Sequence, residues 1–245
     1  MKILKNIKNI CAGLAVLLAA ATTTSCQTGL HYEDVPEEYY SDVSLQGATL
    51  ATRYLFTDCV YAKNFDKYTT YIAQTSLSTS SREWTNETGS NYTLKDGTVI
   101  APGETATISF GVGAMTTRDD SSAPDGKVYV ITFYLPNTVT YSTANKGYLF
   151  DLTKYTGSDK FELVNPNNGM AEQVSTTTDL THLVLALVPT QNYDCKVTPL
   201  DGAPALGTPG DYTQPRQYLV KNDMRRPSGV QQAQRLYEVE FVKLP

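Results

Sequence analysis

The side chains able to do chemistry in this 245-residue chain are few and scattered. Two histidines are present: His31 lies in an acidic stretch near the N-terminus, and His182 heads the apolar run HLVLALV. Neither has neighbours spaced for a histidine metal site or a Ser-His-Asp relay, and His182 reads as a satisfied strand-end residue. No glycine-rich phosphate loop, HExxH or CxxC occurs, so the sequence implies no metal and no organic cofactor. The one compact acidic group is RDDSSAPDG, with Asp119, Asp120 and Asp125. Its oxygens suit calcium in kind, but the spacing is not that of the helix-loop-helix calcium pattern and the final Glu is missing; it reads as a solvated turn. Glycosidase carboxylates need only meet in space, so a hydrolase remains a third functional reading behind the two given below.

Two stretches carry groups suited to uncharged polyols. In SLSTSSREWTNETGSN the single Trp84 is surrounded by Arg82, Glu83, Asn86 and Asn91. A flat ring on a polar, turn-rich segment can stack on a sugar face while its neighbours bond to hydroxyls; the competing reading has Trp84 closing the end of a sandwich. The second stretch is LDGAPALGTPGDYTQPR, Leu200 to Arg216, a long Pro- and Gly-rich loop in which Tyr212, Gln214 and Arg216 could supply an aromatic surface and donors. A stiff surface excursion is its plainer reading.

Cys26 carries a different chemistry. Lys2, Lys5 and Lys8 precede the apolar run ICAGLAVLLAAA, which is too short to span a bilayer, and Thr22-Thr23-Thr24-Ser25 places small residues before the cysteine. This resembles a bacterial lipoprotein signal with Thr-Thr-Ser-Cys as its lipobox. The resemblance implies export, cleavage before Cys26 and attachment to membrane lipid through the acylated thiol, with 1–25 a signal peptide. The 26–45 segment that follows holds Glu33, Asp34, Glu37, Glu38 and Asp42 and no Lys or Arg, and reads as an acidic tether. In Bacteroidota, acids behind the lipidated cysteine can direct display at the cell surface; here they begin several residues along, which favours the outer membrane without choosing its periplasmic or cell-surface face.

Composition narrows the partners. The formal charge is −5, and loss of the three lysines in residues 1–25, with no acid, takes it to −8. An acidic body does not bind a phosphate backbone, so nucleic acid is excluded. The basic cluster Arg225-Arg226, with Lys221 and Arg235 near it in sequence, reads as a solvated loop. With Cys26 committed to lipid, Cys59 and Cys195 remain as an even pair, either a long-range disulfide in an oxidising compartment or two separate buried thiols.

The elements that must position these groups are strands. Ala106, Ile108, Phe110 and Val112 alternate with Thr, Ser and Gly. KVYVITFYL, 127–135, is apolar on both faces and predicts a central strand; 182–188 makes the same case. LYEVEFVK, 236–243, points Tyr237, Val239 and Phe241 inward and Glu238 and Glu240 outward. Asp96-Gly97 predicts a tight hairpin, and Asp125-Gly126 leads into the 127–135 strand. The stretch 50–73 is open between two strands and a strand with a short helix, and short helical turns are expected at 170–174 and 231–235. The fold class is therefore all-β, a mainly antiparallel sandwich.

Residues 91–139, with NYTLKDGTVIAPGETATISFGV and DGKVYVITFYLPNTV, resemble the small immunoglobulin-like domain at the N-terminus of many Bacteroidota surface lipoproteins linked to glycan uptake. The resemblance implies an immunoglobulin-like first part over 46–145, followed over 146–245 by a second β-rich unit or a continuation of the same sandwich. It also implies a non-catalytic envelope lipoprotein that binds extracellular polysaccharide or supports a glycan-uptake complex, with a polysaccharide or an outer-membrane protein as partner. A structural or adhesive surface protein making protein contacts is the alternative.

Overall fold

The computed structural model describes residues 42–56, 61–62, 71–142, 148–149, 163–164, 173–191, 194–223 and 229–245. The signal segment, Cys26, His31, most of the tether, Cys59, Arg225 and Arg226 lie outside the described residues. The chain divides into two compact units, Met1–Tyr40 with Arg226–Gly229 and Ser41–Arg225 with Val230–Pro245; apart from Gly229, every described residue belongs to the second.

The strands in chain order are β1 (Leu45–Phe56), β2 (Tyr61–Ala62), β3 (Tyr71–Leu77), β4 (Ser81–Thr85), β5 (Tyr92–Thr93), β6 (Val99–Ile100), β7 (Thr105–Ser109), β8 (Thr116–Asp119) and β9 (Lys127–Leu135). They continue with β10 (Thr138–Ser142), β11 (Tyr148–Leu149), β12 (Leu163–Val164), β13 (Gln173–Thr177), β14 (Leu183–Pro189), β15 (Cys195–Pro199), β16 (Pro209–Gly210), β17 (Arg216–Asn222) and β18 (Gln234–Lys243). The described helical residues are two 3-10 turns, Val112–Ala114 and Leu180–His182.

Two five-stranded sheets form the body, in the orders β11-β3-β1-β14-β16 and β15-β17-β18-β9-β8. Each joins strands from before and after residue 145. Their inward faces share one core, to which β1 and β14 contribute Leu45, Leu50, Leu183 and Leu185 while β9, β17 and β18 contribute Ile131, Phe133, Tyr218, Val220, Tyr237 and Val239. This is the all-β sandwich that alternation demands, since a strand with one apolar face must bury it against another sheet.

Where the apolar alternation is strong, expectation and structure agree. Ile108 and Phe110 are buried while Thr107 and Ser109 are exposed, and β9 lies inside its sheet with Val128, Ile131, Phe133 and Leu135 fully enclosed. β5 and β6 form the hairpin around Asp96-Gly97, where Gly97 holds φ 88°.

The pairing is mainly antiparallel, as expected, and the two expected helical turns are corrected. Every described residue pairing is antiparallel except that of β18 with β9, which run parallel from Leu236↔Val128 to Lys243↔Leu135. The helical turn expected at 231–235 is absent: Gln234 already opens β18. In 170–174 the described residues Gln173 and Val174 begin β13, paired with Ser142 and Tyr141. Both segments are rich in good helix formers, and propensity of a few tenths of a kcal/mol per residue yields to sheet pairing.

The end of the acidic segment is part of the body. Val43 and Leu45 are buried, and the Tyr237 hydroxyl donates to the Val43 carbonyl at 3.0 Å.

Candidate functional site

A local device recurs throughout: an Asp whose carboxylate accepts from the residue two places on. Asp42 takes the Ser44 N–H, Asp96 the Thr98 N–H, and Asp120, Asp179 and Asp211 each take both N–H and hydroxyl from Ser122, Thr181 and Thr213. These short Asp-x-Ser/Thr turns fix loop backbone without help from the core.

Two of them meet beside a cleft. The Tyr212 N–H donates to the Leu180 carbonyl at 2.9 Å, docking the 211–213 turn on the 179–181 turn. β1 outruns its neighbour here: its register with β14 stops at Thr52↔Leu183, while Tyr54 lies farther along the strand. Beside this end of β1 is a cleft of about 400 Å3 with Tyr54 and Tyr141 among its walls. Their rings are 5.4 Å apart and inclined by 30°. Tyr141 is buried and donates its hydroxyl to Thr52 Oγ1 at 2.9 Å, which locks the inner ring. Tyr54 is half-buried.

The remaining described walls are hydroxyls, Leu180 and one charge of each sign. Thr176, Thr177 and Thr178 come from β13 and the residue after it, Thr181 and Thr213 from the two turns, and Lys243 from the end of β18. Asp179 is the one carboxylate among the described lining residues. Burial pushes its acid group up, but hydrogen bonds from the Thr181 hydroxyl and N–H and from His182 outweigh that and hold it below the ordinary aspartate value. His182 Nδ1 lies 2.7 Å from Asp179 Oδ2 and 2.9 Å from the Thr181 hydroxyl, so the histidine acts as a tie on the turn. Chemically the cleft offers a ring face, rotatable donor-acceptor hydroxyls, an anionic acceptor and a cationic donor.

The residues singled out from sequence lie elsewhere or face inward. Arg82, Trp84 and Asn86 share one side of β4 and its continuation, which pairs with β7 in the register Trp84↔Ala106. Trp84 is half-buried, packs on the core and meets the Tyr92 ring edge-on at 5.0 Å. Arg82 Nε donates to the Tyr134 carbonyl at 3.4 Å. Asn86 is fully buried: its amide donates to the carbonyls of Ser90 and Ile100, and its oxygen accepts the N–H and hydroxyl of Thr88. The set expected to stack on and bond to a sugar is therefore engaged in the fold. Exposed Glu83 and Asn91 are not drawn into a shared site with it.

The long loop is likewise packed down. Tyr212 is buried, shares a 2.9 Å hydroxyl contact with Tyr218, and stands edge-on to Phe241 at 5.1 Å. Arg216 Nε donates to the Asp211 carbonyl at 2.8 Å, while Gln214 is exposed. Ala203 and Leu206 rest on the core. Thr213 is the residue through which this loop reaches the cleft.

Cys195 is a half-buried free thiol whose Sγ donates to the Asp42 carbonyl at 3.3 Å, and burial pushes it above its usual range; Cys59 lies outside the described residues. In the acidic turn, Arg118 reaches Asp120 and Glu238, and Asp125 lies 3.8 Å from Arg235, whose guanidinium sits 4.3 Å over the Tyr129 ring. Among the described residues no group of three His, Cys, Asp or Glu side chains could hold a metal, and no helix is long and apolar enough to cross a membrane.

Sequence reasoning passed over Tyr54, Tyr141, Asp179 and the Thr176-Thr177-Thr178 run. The signal available was that run itself, three β-branched hydroxyls followed by Asp, directly before an apolar strand. No family model matches the chain, and no curated protein matches it. Among solved structures, the crystal structure of a Bacteroides fragilis protein inferred to be secreted aligns at 15% identity over 83% of this chain and 97% of that one. Its TM-score is 0.30, a level at which the likeness carries no argument about fold or function.

Proposed function

We propose that this protein is a non-catalytic, lipid-anchored cell-envelope protein that binds a glycan, and that the cleft beside Tyr54 is where it does so. The observation that carries the reading is the meeting of the Tyr54–Tyr141 ring pair with threonine hydroxyls, Asp179 and Lys243 in one cleft. An aromatic face takes the apolar side of a pyranose, and fixed hydroxyls and charges bond to its edge. A binding role is supported because the described lining carboxylate, Asp179, is occupied by Thr181 and His182, whereas hydrolysis of a glycosidic bond by carboxylates uses two free to act. Acylation at Cys26 would hold the body at the outer membrane.

A strand-adding protein partner is the second reading. β8 closes one edge of its sheet, and all four of its residues are exposed, the arrangement that strand addition requires.

The test is affinity electrophoresis of the full chain in gels cast with a panel of neutral polysaccharides, repeated with Tyr54→Ala and with Trp84→Ala. We expect at least one gel to retard the wild type, Tyr54→Ala to lose that retardation, and Trp84→Ala to keep it while losing about 2 kcal/mol of stability. Migration unchanged in every gel, with a protein captured across the β8 edge by site-specific cross-linking, would move the assignment to the second reading.

A further inference from the structure

We infer that the exposed face of the β10–β13 ribbon continues the saccharide cleft, so that the ligand is an extended neutral polysaccharide held along its length and not a free sugar or a chain end. The inference rests on the saccharide reading of the cleft. The two strands pair as Thr138↔Thr177, Thr140↔Ser175 and Ser142↔Gln173. Thr138, Thr140, Gln173, Ser175 and Thr177 are exposed, while Val139 and Tyr141 on the other face are buried. Thr177 belongs to both features: it closes the ribbon opposite Thr138 and lines the cleft. The hydroxyl face therefore meets the cleft at Thr177, while Tyr141 and Thr176, on the ribbon's other face, form part of the cleft wall.

Its chemistry selects the partner. Neither strand, TVTYS or QVSTT, holds a charged residue, although charged residues make up 18% of the chain. A charged polymer or an ordinary charged protein surface would bring groups that find no counter-charge here. An apolar partner would bury the hydroxyls unpaired. A neutral polyol meets donors and acceptors that rotate to suit it. The array is also rigid. Thr140 and Ser175 hydroxyls are 2.7 Å apart, and Thr75 Oγ1 donates to the Thr140 carbonyl at 3.2 Å, tying the ribbon to β3, which pairs with the β1 strand that carries Tyr54. Threonine side chains are stiff about χ1, so little conformational freedom is lost when a ligand settles on them. Alternate residues on a strand recur every ~6.7 Å and cross-strand neighbours lie ~5 Å apart, giving a lattice of hydroxyls along which successive sugar units can lie.

The experiment is calorimetric titration of the full chain with malto-, cello-, xylo- and manno-oligosaccharide ladders from disaccharide to hexasaccharide. Its variants are Thr140→Val with Ser175→Val, and separately Ser175→Asp, each checked by its thermal melt. Valine keeps the strand preference at both exposed sites. In the ladder that binds, we expect affinity to rise about tenfold or more from disaccharide to hexasaccharide, equivalent to about 1.4 kcal/mol. We expect the double variant and Ser175→Asp to lose that gain while binding the disaccharide as wild type does. Equal affinity for short and long sugars in the wild type would overturn the platform and leave the cleft reading standing. A length gain that survives in both variants would overturn its placement on this ribbon. Absence of heat with every ladder would overturn both.

Discussion

Asn86 shows how a residue type can point to a ligand and be used by the fold. Its side chain makes four hydrogen bonds in a site with no exposure, joining the Asn86-Glu87-Thr88 turn to the carbonyls of Ser90 and Ile100. Replacing it with Ala strands at least one buried carbonyl, and the cost of such unsatisfied groups sets the expectation: Asn86→Ala should lose about 3 kcal/mol in equilibrium urea unfolding with no change in saccharide affinity. An unaltered midpoint would mean that the amide is not a structural tie. The inward set Arg82, Trp84 and Asn86 does alternate with period two, but alternation is read from aliphatic residues, and a strand whose buried side is Arg, Trp and Asn reads as a polar loop. The cleft was hidden for the opposite reason. Tyr54, Tyr141, Thr213 and Lys243 are of residue types common at surfaces and lie far apart in sequence, on β1, β10, the 211–213 turn and β18, so only the fold brings them to one place.

At the level of elements, the segments legible in sequence were those whose two faces differ or are both apolar: 127–135 and 236–243 are strands throughout, while 105–112 is strand only to Ser109, with Val112 in a 3-10 turn, and 182–188 is strand from Leu183, with His182 in the other turn. What alternation does not encode is direction. A parallel and an antiparallel neighbour bury the same residues, so nothing in LYEVEFVK says that it will lie parallel to KVYVITFYL on one side and antiparallel to β17 on the other. This position makes β18 the strand on which its sheet depends. Its side chains Tyr237 and Val239 are fully enclosed, and Tyr237 bonds the Val43 carbonyl. A chain shortened to end at Ala233 should show no cooperative thermal transition. Tyr237→Phe, which removes only the hydroxyl, should fold and lose about 1 kcal/mol. A shortened chain with a sharp near-ultraviolet transition would refute this account of β18.

The whole molecule should lose stability on both sides of neutrality, for separate reasons. Hydrogen bonds from Ser44, Ser122 and Thr213 hold Asp42, Asp120 and Asp211 below the ordinary aspartate value of 3.8, and Asp179 lies below it despite its burial. A group whose folded value is depressed stabilises the fold above the unfolded value and stops doing so as pH falls through the folded one, so unfolding midpoints should drop below about pH 4. Tyr141, Tyr212, Tyr218 and Tyr237 are raised above 10.0, burial being the largest cause in each. Raised groups stabilise below the unfolded value and cease to as pH rises, so a second decline should begin above about pH 10. Urea midpoints across this range, together with the tyrosinate absorbance change, measure both limbs; tyrosinate appearing well before unfolding would contradict the alkaline one. The parallel seating of β18 also governs time. β9 is synthesised roughly a hundred residues before the strand that becomes its second neighbour, and closing so long a loop is slow because its entropy is lost before any contact repays it. Until residue 243 is available, the sheet β15-β17-β18-β9-β8 lacks its central strand, and the sandwich cannot close. If the chain is exported as proposed above, that interval is the one in which a holding chaperone could deliver it to a translocation pore still unfolded.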